Sequence, residues 1–264
     1  MGKQLSASHL RCYAEEGLVF PLRVLSFDET LRYRTACDDL EKLLGGKPRT
    51  IEVRQMHLHF PWAFELASHP GVLDAVEDVI GPDVLLWSTE LFAKHPHDPF
   101  VSINWHRDRP YMGFSGGQST TAWISLADSM PANGCMRAVP MSREHGDKIE
   151  PETDAVNVVL QAGEMSLHTQ DILHGSGTNN SEEKRIGFAV RYVTPAARPA
   201  HGKPPVVLVR GRDAFRHFGE GQAPAADPTR AALAAFKESA IHHLDVILRN
   251  LRHAEDSKRE PVAS

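Results

Sequence analysis

The sequence predicts a mainly β protein with flanking helices, folded as a sandwich or jelly roll. Three observations carry this expectation. Short runs rich in Val, Ile, Thr, Phe and Trp recur from residue 84 to residue 209, Gly, Pro and Asn turns separate them, and helical periodicity is confined mainly to the two ends of the chain.

Taken in order, residues 5–17 form a helix capped by Ser6 or Ser8 and ended by Gly17. Asp28 caps a second helix from Glu29 to about Leu44, stopped by Gly45-Gly46. Residues 51–60 alternate, with Val53, Gln55, His57 and His59 on one side, and predict a strand. Pro61-Trp62 opens a short helix through Ala67, and Pro70 opens another through Ile80. A strong strand covers 84–94, and 101–105 begins its partner. Further strands are expected at 120–127, 135–139, 156–160, 164–168, 185–194 and 205–209. Otherwise 195–228 is rich in Pro, Ala, Gly and charge, and reads as a surface loop or lid. A last helix runs from about Pro228 to His253 on a stripe of Leu233, Phe236, Ala240, Leu244, Ile247 and Leu251, and 256–264 is a polar tail. One domain is expected over 1–264, with its jelly-roll core at about 84–210 and the terminal helices packed outside.

Composition narrows the class. Hydrophobic residues make up 41% and charged residues 24% of the chain, an ordinary globular balance that confines disorder to the ends. The net charge of -5 offers no basic footprint for nucleic acid. Cys12, Cys37 and Cys135 are odd in number and widely spaced, which suggests no disulfide framework and fits a reducing cytoplasm. The first residues lack the apolar core of a signal peptide, and no apolar run is long enough to span a bilayer. Gly2 with Ser6 matches the minimal myristoylation pattern, a match that short patterns often make by chance. The expected partner is a small molecule, with no nucleic acid and no membrane.

The chemistry centres on Ile-Asn-Trp-His-Arg-Asp-Arg-Pro, residues 103–110. In a strand, residues i and i+2 share a face, so His106 and Asp108 converge on one point. His174, opening a glycine-rich turn, is the best third group. Two histidines and one carboxylate suit non-haem Fe(II) and leave three coordination positions open. A structural zinc site normally wants four closed ligands, often cysteines, and no paired Cys spacing occurs. Arg185, eleven residues after His174, has the fork geometry to hold a carboxylate. His57 and His59 also share a face, but a satisfied buried histidine is the commoner outcome. Taken singly, the bland readings lead: a buried His–carboxylate pair, a turn histidine, a surface arginine, and Trp123 as plain core.

Taken together, the pieces resemble the phytanoyl-CoA dioxygenase-like (PhyH) family of Fe(II)/2-oxoglutarate oxygenases. The matching residues are Lys94-His95-Pro96, Trp105-His106-Arg107-Asp108, Thr121-Ala122-Trp123-Ile124-Ser125-Leu126, Asn133-Gly134-Cys135-Met136, Ala162-Gly163-Glu164, and His174-Gly175-Ser176-Gly177 leading to Arg185. The resemblance implies a double-stranded β-helix, or cupin-like jelly roll, with iron on His106, Asp108 and His174. It also implies that Arg185 binds the far carboxylate of 2-oxoglutarate, with Trp123 and Thr121 lining that pocket and Gln118 and Lys94 as weaker carry-overs. The implied activity uses Fe(II), O2 and 2-oxoglutarate to hydroxylate an unactivated C–H bond, releasing succinate and CO2. Desaturation, epimerisation or cyclisation would need only a different substrate placement.

Related halogenases carry a small residue in place of the acidic ligand, so Asp108 disfavours halogenation. The family's Pro-Gly-Ser-His segment reads Pro140-Met141-Ser142-Arg143 here, and the lid over 144–157 is short, which favours a small substrate over a long acyl-CoA. Arg107, Arg109, Arg137, Arg143, His145 and Arg191 lie near the expected mouth and suit an anionic substrate. The competing expectation is that they are solvated and paired with Glu144, Asp147 and Asp154. Two other classes stay open: a non-catalytic cupin-like binding protein, and a zinc-dependent hydrolase or isomerase, which leaves Arg185 unexplained.

Overall fold

Two β-sheets face each other, and helices cover the outer side of the larger one. The computed structural model describes residues 2–48, 52–99, 101–141, 149–224 and 230–259. The larger sheet runs in spatial order β1 (Leu18–Arg23), β8 (Glu164–Thr169), β5 (Ser119–Ser125), β10 (Arg185–Val193), β2 (Val84–Lys94), β12 (Pro205–Arg210) and β13 (Gly219–Glu220). The smaller runs β3 (Ile103–His106), β9 (Leu173–Ser176), β6 (Met136–Val139) and β7 (Val156–Val158). A two-residue pair, β4 (Phe114–Ser115) with β11 (Arg198–Pro199), stands beside them. This is the double-stranded β-helix expected from the sequence.

Alternation along the central strands decides what faces the site. On β10, Ile186, Phe188, Val190 and Tyr192 enter the helix-side core, while Arg185, Ala189 and Arg191 point between the sheets. On β5, Ala122 and Ile124 join that core, and Thr121 and Trp123 take the inner face. The helix-side core is closed by α1 (Ala7–Glu16), α2 (Phe27–Leu43), α3 (Pro61–Ala67) and α4 (Pro70–Ile80). A short α6 (Pro151–Asp154) precedes β7.

Several expectations need correction. Ser26, not Asp28, caps α2: its hydroxyl accepts from Glu29 N while the Glu29 carboxylate accepts from Ser26 N, a reciprocal box that starts the helix earlier. The segment 52–60 forms no strand. It holds one isolated bridge, Arg54 to Glu90, then a 3-10 turn at Met56–Leu58 entered through Gln55 at φ 57°. Two backbone bonds, Gln55 N to Thr89 O and Leu91 N to Val53 O, tie it to β2, and side chains add His57 on Thr89 and Gln55 on His243. β3 pairs with β9 and not with β2, whose one edge is taken by β10 and whose other edge meets β12 at Val84–Leu86 and the Arg54 bridge at Glu90. The 195–224 stretch is no free lid, since β11, β12 and β13 tie it down.

The last helix, α7, spans Arg230–Arg259 and overruns its expected end, because no breaker precedes Pro261. Its buried stripe is Phe236, Ala240, His243, Ile247 and Asn250, spaced three and four apart. Asn250 Nδ2 donates to the carbonyls of Tyr111 and Met112, both at 3.0 Å, and so docks α7 on α5 (Arg109–Met112). No described helix is long and apolar enough to cross a membrane.

Candidate active site

His106, at the end of β3, and His174, in β9, are direct cross-strand partners with ring centroids 4.2 Å apart. Their Nδ1 atoms lie 2.8 Å from Asn104 O and 3.1 Å from Ile172 O. A carbonyl only accepts, so each Nδ1 carries the proton and each Nε2 keeps its lone pair for a ligand. Asp108 completes the triangle, with one ligand atom from each residue all within 4.8 Å of one another. Strand parity does not bring it there. β3 ends at His106, and Asp108 sits past it in helical backbone as the first residue of the turn into α5, its Oδ1 3.6 Å from His106 Nε2.

The electrostatics suit a cation. Burial alone would raise the Asp108 carboxyl, but the Arg191 guanidinium and the surrounding imidazoles hold it well below the usual carboxylate range. Burial pushes His174 down to about 4, while for His106 the neighbouring Asp108 more than offsets burial and the shift is upward. Thr121 Oγ1 donates to Asp108 Oδ2 at 3.0 Å and orients it. Two accessible imidazole lone pairs and one ionised carboxylate form a donor set that fits Fe(II) and leaves open positions.

Across the inner pocket lies a second feature. Arg185 is 1% exposed and donates to Gly134 O at 2.7 Å; among the described residues it has no carboxylate partner and its Nε no hydrogen-bond partner. Lys94, its cross-strand neighbour, is fully buried and donates to Ser176 Oγ at 2.7 Å and to the carbonyls of Gly134 and Gly177. Burial, followed by repulsion from Arg185, drives Lys94 down to about 7. The Trp123 ring lies 5.0 Å from the Arg185 guanidinium, above Gly187. A Cβ at Gly187 would stand 1.8 Å from that ring, so glycine is what lets Trp123 lie there.

Of the expected cosubstrate residues, Arg185, Trp123 and Thr121 line this pocket, and Lys94 sits behind it through Ser176. Gln118 does not: it is exposed at the start of β5, bonded through its backbone to Thr194. Among the mouth arginines, Arg109 makes a two-pronged pair with Asp171, Arg107 donates to Asp171 O, and Arg137 pairs with Glu152 at 2.8 Å. Arg143, with His145, falls outside the described residues. Arg191 faces inward as its parity predicts, but it is bound to Asp108 at 3.3 Å and Glu90 at 3.2 Å. Away from this site, His57 is fully buried against Thr89 and His59 meets Phe236 edge to face.

Four residues of the site escaped the sequence reading. His168 lines the inner pocket, buried, with neither ring nitrogen bonded. Its signal was the polar face of β8, where Ser166 and His168 alternate with Met165 and Leu167. Glu90 was legible as a lone carboxylate inside a strongly apolar strand. Arg54 and His243 carried no local signal, since one sits in an irregular segment and the other on a helix far along the chain.

Comparison with known proteins agrees with this geometry. A model of the phytanoyl-CoA dioxygenase (PhyH) family matches residues 13–187. Among solved structures, a chain described as "non-heme monooxygenase; ThoJ apo" is 31% identical, with TM-score 0.82 over 92% of this chain and 99% of its own. "CytC3 with Fe(II) and alpha-ketoglutarate", at 20% identity and TM-score 0.67 over 87% of this chain and 100% of its own, shares the fold. A Stutzerimonas stutzeri protein described as "probable alpha-ketoglutarate-dependent hypophosphite dioxygenase" is 23% identical over 200 residues, 68% of this chain and 67% of the relative.

Proposed function

The chain belongs to the phytanoyl-CoA dioxygenase family and is a 2-oxoglutarate-dependent dioxygenase that works with Fe(II), 2-oxoglutarate and O2, and from that premise we propose that it hydroxylates an unactivated C–H bond of a small metabolite. His106, Asp108 and His174 hold the iron, and Arg185 with Lys94 receives the far carboxylate of 2-oxoglutarate. The observation that carries this reading is the buried, carboxylate-free Arg185 beside the ligand triangle. A buried charge without a counter-charge is costly, so the fold maintains it for an anion that arrives from outside.

Once bound, the iron and 2-oxoglutarate supply the oxidation: one atom of O2 enters succinate, the other the substrate C–H bond, and CO2 leaves. The protein's part is placement. Carbonyls of Asn104 and Ile172 fix the two imidazole tautomers, and Thr121 and Arg191 fix the carboxylate between them. Trp123 covers the Arg185 guanidinium and keeps water from it. Products made under 18O2 from a metabolite library test the proposal. One labelled oxygen in succinate and one in a hydroxylated product is expected; succinate without label, or none with any substrate, contradicts it.

A further inference from the structure

A chamber of about 450 Å³ opens beside the ligand triangle, with His106 and Asp108 in its wall. We propose that this chamber receives the substrate through a single anionic group, a carboxylate or a phosphorus oxyanion, held by Arg54. The proposal rests on the reading that the reaction occurs at His106, Asp108 and His174.

Arg191 lies between two carboxylates, Glu90 and Asp108, and is satisfied by both. Asp108 belongs to the ligand triangle. Glu90 remains, nearly fully buried, and it is shared: one oxygen faces Arg191 at 3.2 Å and the other faces Arg54 at 2.7 Å. With Asp108 committed to a bound cation, two guanidinium groups divide one carboxylate, and the chamber carries one unmatched positive charge. Arg54 is where it resides: its buried Nε has no hydrogen-bond partner among the described residues, whereas all three Arg191 nitrogens donate to Glu90 or Asp108.

No other group in the wall supplies the missing anion. His243 is buried and neutral, its nitrogens engaged by Gln55 at 2.7 Å and Ser88 at 3.2 Å. Ser102, Asn104 and Tyr111 add neutral polar groups. The rest is apolar or aromatic: Trp87, Phe92, Ile103 and, from α7, Ile247. A register slip opposite Trp87 in the β2–β10 pairing lets Trp87 and Glu90, three residues apart, both face this space. A monoanionic ligand laid with its apolar body on these rings matches the leftover charge through hydrogen bonds to a guanidinium.

The test uses the full chain, loaded anaerobically with Fe(II) and 2-oxoglutarate. It is titrated with 3-phenylpropionate, 2-phenylethylphosphonate and the neutral 3-phenylpropionamide, following both the visible chelate band and the heat of binding. At least one acid is expected to bind about tenfold or more tightly than the amide, a difference near 1.4 kcal/mol. Arg54→Gln is expected to erase that preference while the band induced by 2-oxoglutarate stays intact, and Arg54→Lys to retain part of it. Which acid binds separates the carboxylate from the phosphorus class. Equal binding of acids and amide, or a preference that survives in Arg54→Gln, overturns the proposal. If Arg54→Gln does not fold, full retention of the preference in Arg54→Ala or its absence in the wild type decides against it. Absence of any chelate band contradicts the iron and 2-oxoglutarate reading alone, since the calorimetric acid preference still decides the chamber.

Discussion

Two clusters of buried positive charge flank the ligand triangle, and the fold treats them in opposite ways. Arg185 and Lys94 are met by carbonyls and a hydroxyl, without a carboxylate among the described residues. Arg54 and Arg191 are laced to Glu90 and Asp108. The first cluster is a receptor that folding leaves electrostatically incomplete; the second is a brace that is nearly complete within the chain. The first gives up more stability so that a ligand can supply the partner, while the second leaves only Arg54 short of a full complement.

The largest effect that breaks this comparison removes its common centre. His174→Ala is expected to abolish iron retention and lower succinate formation by more than about a hundredfold, the upper range for losing only an outer hydrogen-bond partner. Iron content after desalting and 2-oxoglutarate turnover measure it. Next, Arg191→Met strips two buried carboxylates of their shared partner, and is expected to destabilise the metal-free protein by about 3–5 kcal/mol in denaturant melts. The equivalent change in the other cluster sharpens the contrast. Arg185→Met is expected to leave the metal-free melt unchanged or raised, while weakening 2-oxoglutarate binding by about 2–5 kcal/mol. A strongly destabilised Arg185→Met would show that its charge is balanced after all.

A mild change of pH is expected to do least. Burial holds His174 at about 4 and His168 and His57 at about 3, so in the fold they are neutral. The unfolded chain takes up protons near pH 6.5, so it binds more protons than the native state between about 6.5 and 4. Stability therefore falls as pH drops through that window, and thermal melts of the metal-free protein at pH 7, 6 and 5 should show a steadily lower midpoint. A midpoint that rises on acidification contradicts the burial of these imidazoles.

The parts of the molecule legible in sequence are those fixed by local periodicity. Strand alternation placed Arg185 and Arg191 on the inner face of β10, and proline starts and glycine stops gave α3 and α4. His106 was legible in a strand-like run, and His174 as the histidine that opens a glycine-rich turn, although the structure places it in β9. Asp108 came right for the wrong reason, since a helical turn and not strand parity brings it in. What stayed hidden depends on contacts distant in sequence. Arg54 is positioned by a single bridge to Glu90, and His243 by hydrogen bonds to Gln55 and Ser88 more than 150 residues away. Gln118, expected only from the family resemblance, lies exposed just before β5 and out of phase with the inner-face Thr121 and Trp123. Pairing of β3 with β9 in place of its neighbour β2 is likewise a long-range choice that no local pattern encodes.

The central claim, that the ligand triangle and the Arg185 pocket work as one site for iron and 2-oxoglutarate, meets its most direct test in an anaerobic titration. Apo-protein receives Fe(II) and then 2-oxoglutarate, and the weak visible metal-to-ligand charge-transfer band of a chelate is followed in the wild type and in Arg185→Met. The account predicts a saturable band in the wild type that needs far more 2-oxoglutarate, or fails to form, in the variant. A wild type with no band, or a variant that titrates identically, contradicts it.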